Sequence, residues 1–206
     1  MMQIKTLTMG SMDNNCYLLT DEASGKSALI DCPDFNADLV SFVGDADVQY
    51  ILLTHGHYDH ILGVLQAREH WKAMVYIGEP DGPMLESSKL SLAVFTLKDR
   101  RQTPCRADFF LRDGKVIRLG ETEIRVLATP GHTRGGVCYL CGNALFTGDT
   151  LFRLSCGRTD FPGGSSTEMR ASLQRLAALA GDYTVYPGHG QASTLDFERR
   201  YNTYLR

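Results

Sequence analysis

The sequence predicts an α/β protein whose sheets contain antiparallel as well as parallel strands. Apolar runs of strand length alternate with amphipathic segments of helix length along the 206 residues, which indicates mixed strands and helices. Turn residues join some runs directly, so the sheets cannot be purely parallel. An apolar share of 43% is ordinary for a globular protein and can supply a core.

The strands are predicted from short runs rich in β-branched, aromatic and other apolar residues. They lie at 15–20, 27–31, 49–54, 74–77, 115–119, 123–128, 136–140, 143–147 and 183–186. Asp113-Gly114 between "FFLR" and "KVIRL" predicts a hairpin, and "CGN" at 141–143 predicts another.

Two helices have clear sequence signals. In the segment 61–71, "ILGVLQAREHW", the apolar residues recur at helical spacing. Ser165 and Glu168 form a capping box, and apolar residues then follow at steps of three and four as far as Ala180. Shorter helices are predicted near 36–44 and 195–204. The segment 79–106 has no clear assignment; its basic residues predict a solvated face or, alternatively, an anion-binding rim: Lys98, Arg100 and Arg101.

Charge and composition exclude several classes of partner. The 21 basic residues minus the 24 acidic ones give a net charge of −3, which argues against binding to nucleic acids or to anionic membranes. The N-terminus lacks an apolar signal-peptide core, and no apolar run approaches membrane-spanning length. We therefore expect a soluble, cytoplasmic protein that acts on a small molecule. The sequence does not indicate its oligomeric state.

The six cysteines are scattered through the chain and are predicted to be reduced thiols. Cys138 and Cys141 form a C-x-x-C, but no second pair exists to complete a structural zinc site. Both lie in a predicted strand, where residues three apart face opposite sides. They are therefore interpreted as two small core residues.

Five of the six histidines follow the end of an apolar strand. "YILLTHGHYDH" contains three of them with Asp59, and "FTGD" places Asp149 in the same setting; the histidines are His55, His57, His60, His132 and His189. Strand ends at one edge of a sheet are where α/β proteins build their sites. The exception, His70, lies on a predicted helix and is expected at the surface or partly packed.

This set of side chains predicts metal binding. His55 and His57 are two residues apart and point to the same side of an extended turn, whereas Asp59 and His60 can point elsewhere. One short loop can therefore serve two neighbouring ions. Imidazole and carboxylate ligands suit zinc, iron or manganese.

The motifs "THGHYDH", "PGHTRGG", "FTGDTLF" and "YPGHG" resemble, in this order, the metal motifs of the metallo-β-lactamase superfamily. The resemblance covers nearly the whole chain and implies one domain, 1–206, with a four-layer αββα sandwich and a binuclear site. It implies that one ion is held by His55, His57 and His132, and the other by Asp59, His60 and His189. Asp149 would bridge them, and Asp59 and Asp149 would be catalytic. Asp149 stands where β-lactamases tend to place cysteine, so antibiotic hydrolysis is not expected.

"GDTLFRLSCGRTDFPGG" is similar to the glyoxalase II group and its short relatives. The resemblance implies a binuclear hydrolase, with zinc as the expected metal, that cleaves S-lactoylglutathione-like or other small thioesters with a metal-bridging hydroxide. Only 17 residues follow His189 here, so the helical glutathione-binding domain of the longer relatives is not expected. Four further residues are candidates for substrate binding: Tyr58, Arg134, Arg153 and Arg158. Arg158 has a competing interpretation, a salt bridge to a nearby acid such as Asp160.

Several rival functions stay open. "GRTDF" also resembles the persulfide dioxygenases of the same superfamily, which use a single iron held by two histidines and one aspartate. A lactonase, a phosphodiesterase and a non-catalytic metal-binding protein are weaker alternatives. A purely structural zinc site has four closed ligands, whereas seven candidates occur here.

Overall fold

The computed structural model describes residues 2–96 and 102–206, and these form two large sheets. In the first sheet the strands lie side by side in chain order. Strands β1 to β3 are antiparallel neighbours, and β3 to β6 are parallel. These strands are β1 (Met2–Met9), β2 (Asn14–Asp21), β3 (Lys26–Ile30), β4 (Asp47–Leu52), β5 (Met74–Gly78) and β6 (Phe109–Leu111).

The second sheet contains the later strands of the chain. They are β7 (Val116–Leu119), β8 (Thr122–Ala128), β9 (Val137–Cys141), β10 (Ala144–Gly148), β13 (Thr184–Pro187) and β14 (Ser193–Thr194), with a separate hairpin of β11 (Leu151–Phe152) and β12 (Ser155–Cys156). The sheet order is β14-β13-β10-β9-β8-β7. Only the pair of β10 and β13 is parallel among these described strands.

The α-helices are α1 (Ala37–Val43), α2 (Tyr58–Ile61), α3 (Val64–Trp71), α4 (Ala93–Thr96), α5 (Ser166–Ala177) and α6 (Leu195–Tyr201). Two 3₁₀ segments lie at Glu79–Leu85 and Thr203–Leu205. The predicted cap of α5 forms, because the Ser165 side chain accepts a hydrogen bond from the Glu168 backbone N–H at 3.2 Å. Within the described residues, no helix has both the length and the apolarity that crossing a membrane requires.

Three apolar cores separate four layers, which confirms the predicted αββα sandwich. In β2, Tyr17 and Leu19 face the second sheet, whereas Cys16 and Leu18 face the helices α1 and α3. The outer face of the second sheet packs in the same way against α5 and the start of α6. Cys138 and Cys141 lie on opposite faces of β9, in the outer and the inner core, as predicted.

The pairing of the strands shows that one of the two predicted hairpins is wrong and the other is right. The hairpin predicted at Asp113-Gly114 is wrong, because β6 pairs with β5 in the first sheet and β7 pairs with β8 in the second. The turn is present, with Gly114 at a φ of 75°, but it carries the chain from one sheet to the other. The hairpin around 141–143 is confirmed by the pairing of Cys141 with Ala144. Strand β1 was not predicted, and the basic residues at 98, 100 and 101 lie outside the described part of the chain.

Candidate metal centre

The ends of four strands bring the predicted site residues to one edge of the sandwich. Strands β8 and β10 both run antiparallel to β9, so they run in the same direction, and β13 is parallel to β10. Their carboxyl ends therefore lie at the same edge. His132 follows β8, Asp149 follows β10 and His189 follows β13. The segment after β4 supplies the remaining four residues, two from a loop and two from α2: His55, His57, Asp59 and His60.

The seven side chains form one continuous cluster of potential ligand atoms. In each of three overlapping groups, the nitrogen and oxygen atoms lie within 4.8 Å of one another. The groups are His55, His57 and His132; His55, His60 and Asp149; and Asp59, His60 and His189. The first and third groups share no residue, so the cluster offers two separate sets of three ligands.

Asp149 lies between these two sets. Its Oδ2 atom is 3.5 Å from His132 Nε2, and its Oδ1 atom is 3.4 Å from His60 Nε2 and 3.6 Å from His189 Nε2. One carboxylate therefore presents a different oxygen to each set. A ligand that bridges two ions requires this arrangement, whereas a ligand of a single ion needs only one oxygen.

Unsatisfied buried atoms indicate that the cluster accommodates cations. His55 Nε2, His57 Nε2 and Asp149 Oδ1 are buried and have no hydrogen-bond partner among the described residues. Leaving such an atom unpaired costs about 1–3 kcal/mol, so three in one place require an explanation. Divalent cations explain His55 Nε2 and Asp149 Oδ1, because imidazole nitrogens and carboxylate oxygens are suitable ligands for zinc, iron and manganese. His57 approaches His132 Nε2 with its Nδ1 atom, at 2.8 Å, so Nδ1 is the nitrogen that it offers to the first ligand set.

The protonation states of the histidines differ between the two sets. Burial lowers the pKa of His57 to about 3 and holds the pKa of His55 well below its usual range, and neighbouring histidines add to both effects. Burial also opposes the charged forms of His60 and His189, but nearby carboxylates outweigh it and raise both pKa values. His55 and His57 are therefore neutral at physiological pH, whereas metal must displace protons from His60 and His189.

Hydrogen bonds at Nδ1, on the side of the ring that faces away from the cluster, orient three of the imidazoles. His60 Nδ1 lies 2.8 Å from Asp31 Oδ2, His132 Nδ1 lies 2.7 Å from the Arg158 carbonyl, and His189 Nδ1 lies 3.0 Å from the Met12 carbonyl. When Nδ1–H donates to these oxygens, the lone pair of Nε2 faces the cluster. The sequence reasoning missed Asp31, although it follows the apolar run "SALI" in the same manner as the predicted ligands follow theirs.

Asp81 is a second residue that the sequence reasoning missed. Its buried carboxylate accepts hydrogen bonds from the backbone N–H groups of Gly56 at 3.0 Å and Gly135 at 2.7 Å. It therefore links the loop that carries His55 and His57 to the loop after His132. A Cβ atom on Gly135 would lie 2.6 Å from the Asp81 nitrogen, so this close approach requires glycine.

A cavity of about 700 Å³ opens over the cluster, a size typical of small-molecule sites. Two of the four proposed substrate-binding residues, Tyr58 and Arg158, line it. The guanidinium of Arg158 donates two hydrogen bonds to Asp160, at 2.6 and 2.7 Å, and lies over the Phe161 ring at 3.9 Å. The salt bridge that was considered as an alternative for Arg158 is thus present.

The other two candidates lie outside this cavity. Arg134 is exposed and borders a neighbouring cavity of about 370 Å³ together with Lys89. Arg153 donates a hydrogen bond to Gln191 Oε1 at 2.7 Å and lies over the Phe197 ring. His70 is exposed on α3, where it packs against Phe35 and away from the cluster.

Comparisons of the sequence with known proteins agree on one family. A family model described as the metallo-beta-lactamase superfamily matches residues 10–189. The chain is 34% identical to a probable polyketide biosynthesis zinc-dependent hydrolase, PksB of Bacillus subtilis, over 90% of this chain and 76% of that protein. It is 31% identical to the hydroxyacylglutathione hydrolase GloC of Haemophilus influenzae, over 99% of this chain and 98% of that one.

Solved structures show the same similarity over nearly the whole chain. The B3 metallo-beta-lactamase BLEG-1 superposes with a TM-score of 0.91 at 31% identity, over 98% of this chain and 99% of that one. TTHA1623, in a di-iron-bound form, superposes with a TM-score of 0.86 at 34% identity, over 98% and 100%. ETHE1 from Myxococcus xanthus superposes with a TM-score of 0.79 at 30% identity, over 98% and 83%.

Proposed function

This chain belongs to the metallo-β-lactamase superfamily, and we propose that it is a hydrolase that uses two divalent metal ions to cleave small thioesters. The observation that carries the proposal is the position of Asp149, whose two carboxylate oxygens face two separate ligand sets. We assign His55, His57 and His132 to one ion and Asp59, His60 and His189 to the other. The di-iron form of TTHA1623 supports a binuclear site.

The ions, when bound, would supply Lewis acidity and lower the pKa of water, so that a nucleophile is available near neutral pH. In the reaction, the oxygen of water bonds to the acyl carbon and the carbon–sulfur bond breaks. The sulfur leaves as a thiol, and the new carboxylic acid releases a proton. Because water is the nucleophile, no serine or cysteine of the chain need be acylated.

The chain's own residues hold this arrangement in place. The carboxylate of Asp31 and the carbonyls of Met12 and Arg158 set the tautomers of three histidines, so that Nε2 faces the cluster. Asp59 and Asp149 line the cavity, and the histidines beside them lower both carboxyl pKa values against the effect of burial. Both carboxylates are therefore ionised at neutral pH and available to bind cations.

The similarity to GloC over 98% of its length supports a thioester as the substrate. A second candidate activity, β-lactam hydrolysis, is favoured by the similarity to BLEG-1 and runs against the expectation from Asp149. The similarity to ETHE1 is the reason to test the dioxygenase that the sequence also suggested. Each of these activities consumes a different substrate, so one panel separates them.

The test is a panel of S-lactoylglutathione, a neutral acetyl thioester, a chromogenic cephalosporin and glutathione persulfide with an oxygen electrode. We expect thiol release from both thioesters, its loss after treatment with a chelator and its return when zinc is added back. The Asp149→Ala variant should lose this activity, whereas His70→Ala should keep it. Turnover of the cephalosporin alone, or oxygen uptake without thiol release, would overturn the proposal.

A further inference from the structure

One wall of the cavity over the cluster is apolar and solvent-accessible. Leu92, Phe95 and Phe161 line it, and 70% of the Phe95 surface is exposed. Leu92 and Phe161 pack with Tyr58 in a small apolar cluster separate from the three cores of the sandwich. Packing against Tyr58 thus holds Leu92 and Phe161 in place, while the ring of Phe95 remains available to a ligand.

The wall lies beside the reacting centre. The Phe161 ring is 5.8 Å from the His57 ring, and Tyr58 directly follows this histidine in the chain. Leu92 has a φ of 70°, a left-handed conformation that is strained for a leucine and that immediately precedes α4. Leu92 thus lies directly before α4, and α4 carries Phe95 at the cavity.

The wall formed by Leu92, Phe95 and Phe161 carries no charged side chain that could pair with an anionic substrate group. Arg158 is the only lysine or arginine among the described residues that line the cavity, and Asp160 already engages its guanidinium. The lining carboxylates, Asp59 and Asp149, lie in the cluster itself. A substrate group that rests on the wall therefore gains by being apolar, because it removes exposed apolar surface from water.

We propose that the substrate carries an apolar acyl group, a medium-length straight chain or an aromatic ring, that lies against Leu92, Phe95 and Phe161. This inference rests on the proposed thioester hydrolysis. Each buried methylene of the acyl chain should raise kcat/KM about threefold to fourfold until the wall is covered. The polar lactoyl group should be a poorer acyl group than a hexanoyl group on the same thiol.

The test compares acyl groups on one neutral thiol, N-acetylcysteamine. The acetyl, butyryl, hexanoyl and benzoyl thioesters are assayed with the wild type, with Phe95→Ala and with the matched control Val94→Ala. Val94 lies on the same helix and is 57% exposed, but it does not line the cavity. We expect kcat/KM to rise at least tenfold from acetyl to hexanoyl in the wild type and in Val94→Ala, and to rise much less in Phe95→Ala.

A binding measurement separates this inference from the proposed function. Thioether analogues with the same alkyl groups cannot be hydrolysed, so calorimetry reports their affinity without turnover. Tighter binding with longer alkyl groups, weakened by Phe95→Ala, supports the apolar subsite even if no thioester is cleaved. Hydrolysis of all thioesters at similar rates, together with thioether affinities that do not depend on chain length, would overturn the subsite and leave the proposed hydrolase intact.

Discussion

Replacing Asp31 with asparagine should weaken metal binding without disturbing the fold of the site. Asp31 Oδ2 accepts hydrogen bonds from His60 Nδ1 and Thr54 Oγ1, both at 2.8 Å, and Oδ1 accepts one from the Thr54 backbone N–H at 2.8 Å. Asp31 has a φ of 58°, a conformation that asparagine also tolerates, whereas alanine would add backbone strain. Asp31→Asn therefore changes the chemistry of one group and little else.

The expected magnitude follows from these contacts. If the amide oxygen keeps the bond to the Thr54 N–H, the amide NH₂ group faces His60 Nδ1. His60 must then accept a hydrogen bond at Nδ1 and carry its proton on Nε2, the atom that faces the cluster. A lost charge-assisted hydrogen bond is worth about 1.5–3 kcal/mol, and orienting contacts of this kind change metal affinity about 10–100-fold. We expect a loss of affinity in that range.

The assay is a competition titration of metal-free protein against a chelator of known affinity. Asp21→Asn is the matched control, since Asp21 is also buried and accepts hydrogen bonds from Ser24 and Thr122, but it lies outside the ligand cluster. The control should lower the melting temperature and leave metal affinity unchanged. Wild-type metal affinity in Asp31→Asn would show that Asp31 does not set the tautomer of His60.

Three further outcomes follow from the site. Asp149→Ala should lose metal content and activity together in parallel elemental analysis and thioester assays, whereas His70→Ala should lose neither; equal damage by both would refute the bridging role. Acidification should release metal in two steps, because the raised pKa values of His60 and His189 let protons compete at higher pH, whereas His57, with its pKa lowered to about 3, stays unprotonated. The measurement is the metal content of the protein across the pH range, and release of all the metal in a single step would contradict this expectation. S-lactoylglutathione should be hydrolysed with a raised KM, since Arg158 is the one lysine or arginine among the described residues that line the cavity and Asp160 already engages it. Leaving the two glutathione carboxylates without charge-assisted contacts weakens binding by roughly two to four orders of magnitude; a micromolar KM in steady-state kinetics would reveal a glutathione site.

The candidate site could be predicted because its signal is local in the sequence. Each candidate ligand follows an apolar strand run within a few residues, so the end of the strand fixes where the side chain emerges. The same rule applies to Asp31 after β3, and applying it to every carboxylate that follows a strand, as it was applied to Asp149, would have found Asp31. The four layers were predicted from the resemblance to the metallo-β-lactamase superfamily, and the structure gives the physical reason for them: strands such as β2 are apolar on both faces and are covered on both.

Features that depend on distant pairing could not be predicted from local patterns. Asp113-Gly114 signals a reversal of the chain, but the turn residues do not specify which strands pair on either side of it. Strand β1 is an edge strand whose apolar residues are mostly only partly buried, so its apolar pattern is weak. Asp81 bonds to backbone groups 25 and 54 residues away, and only the folded chain brings these together.

The most direct test of the binuclear hydrolase is the metal content of protein purified without added metal, measured on the same sample as its thioester hydrolysis. We predict close to two divalent ions per chain, with hydrolysis falling as a chelator removes them. One tightly held iron per chain, with no thioester hydrolysis before or after zinc is added, would contradict the account.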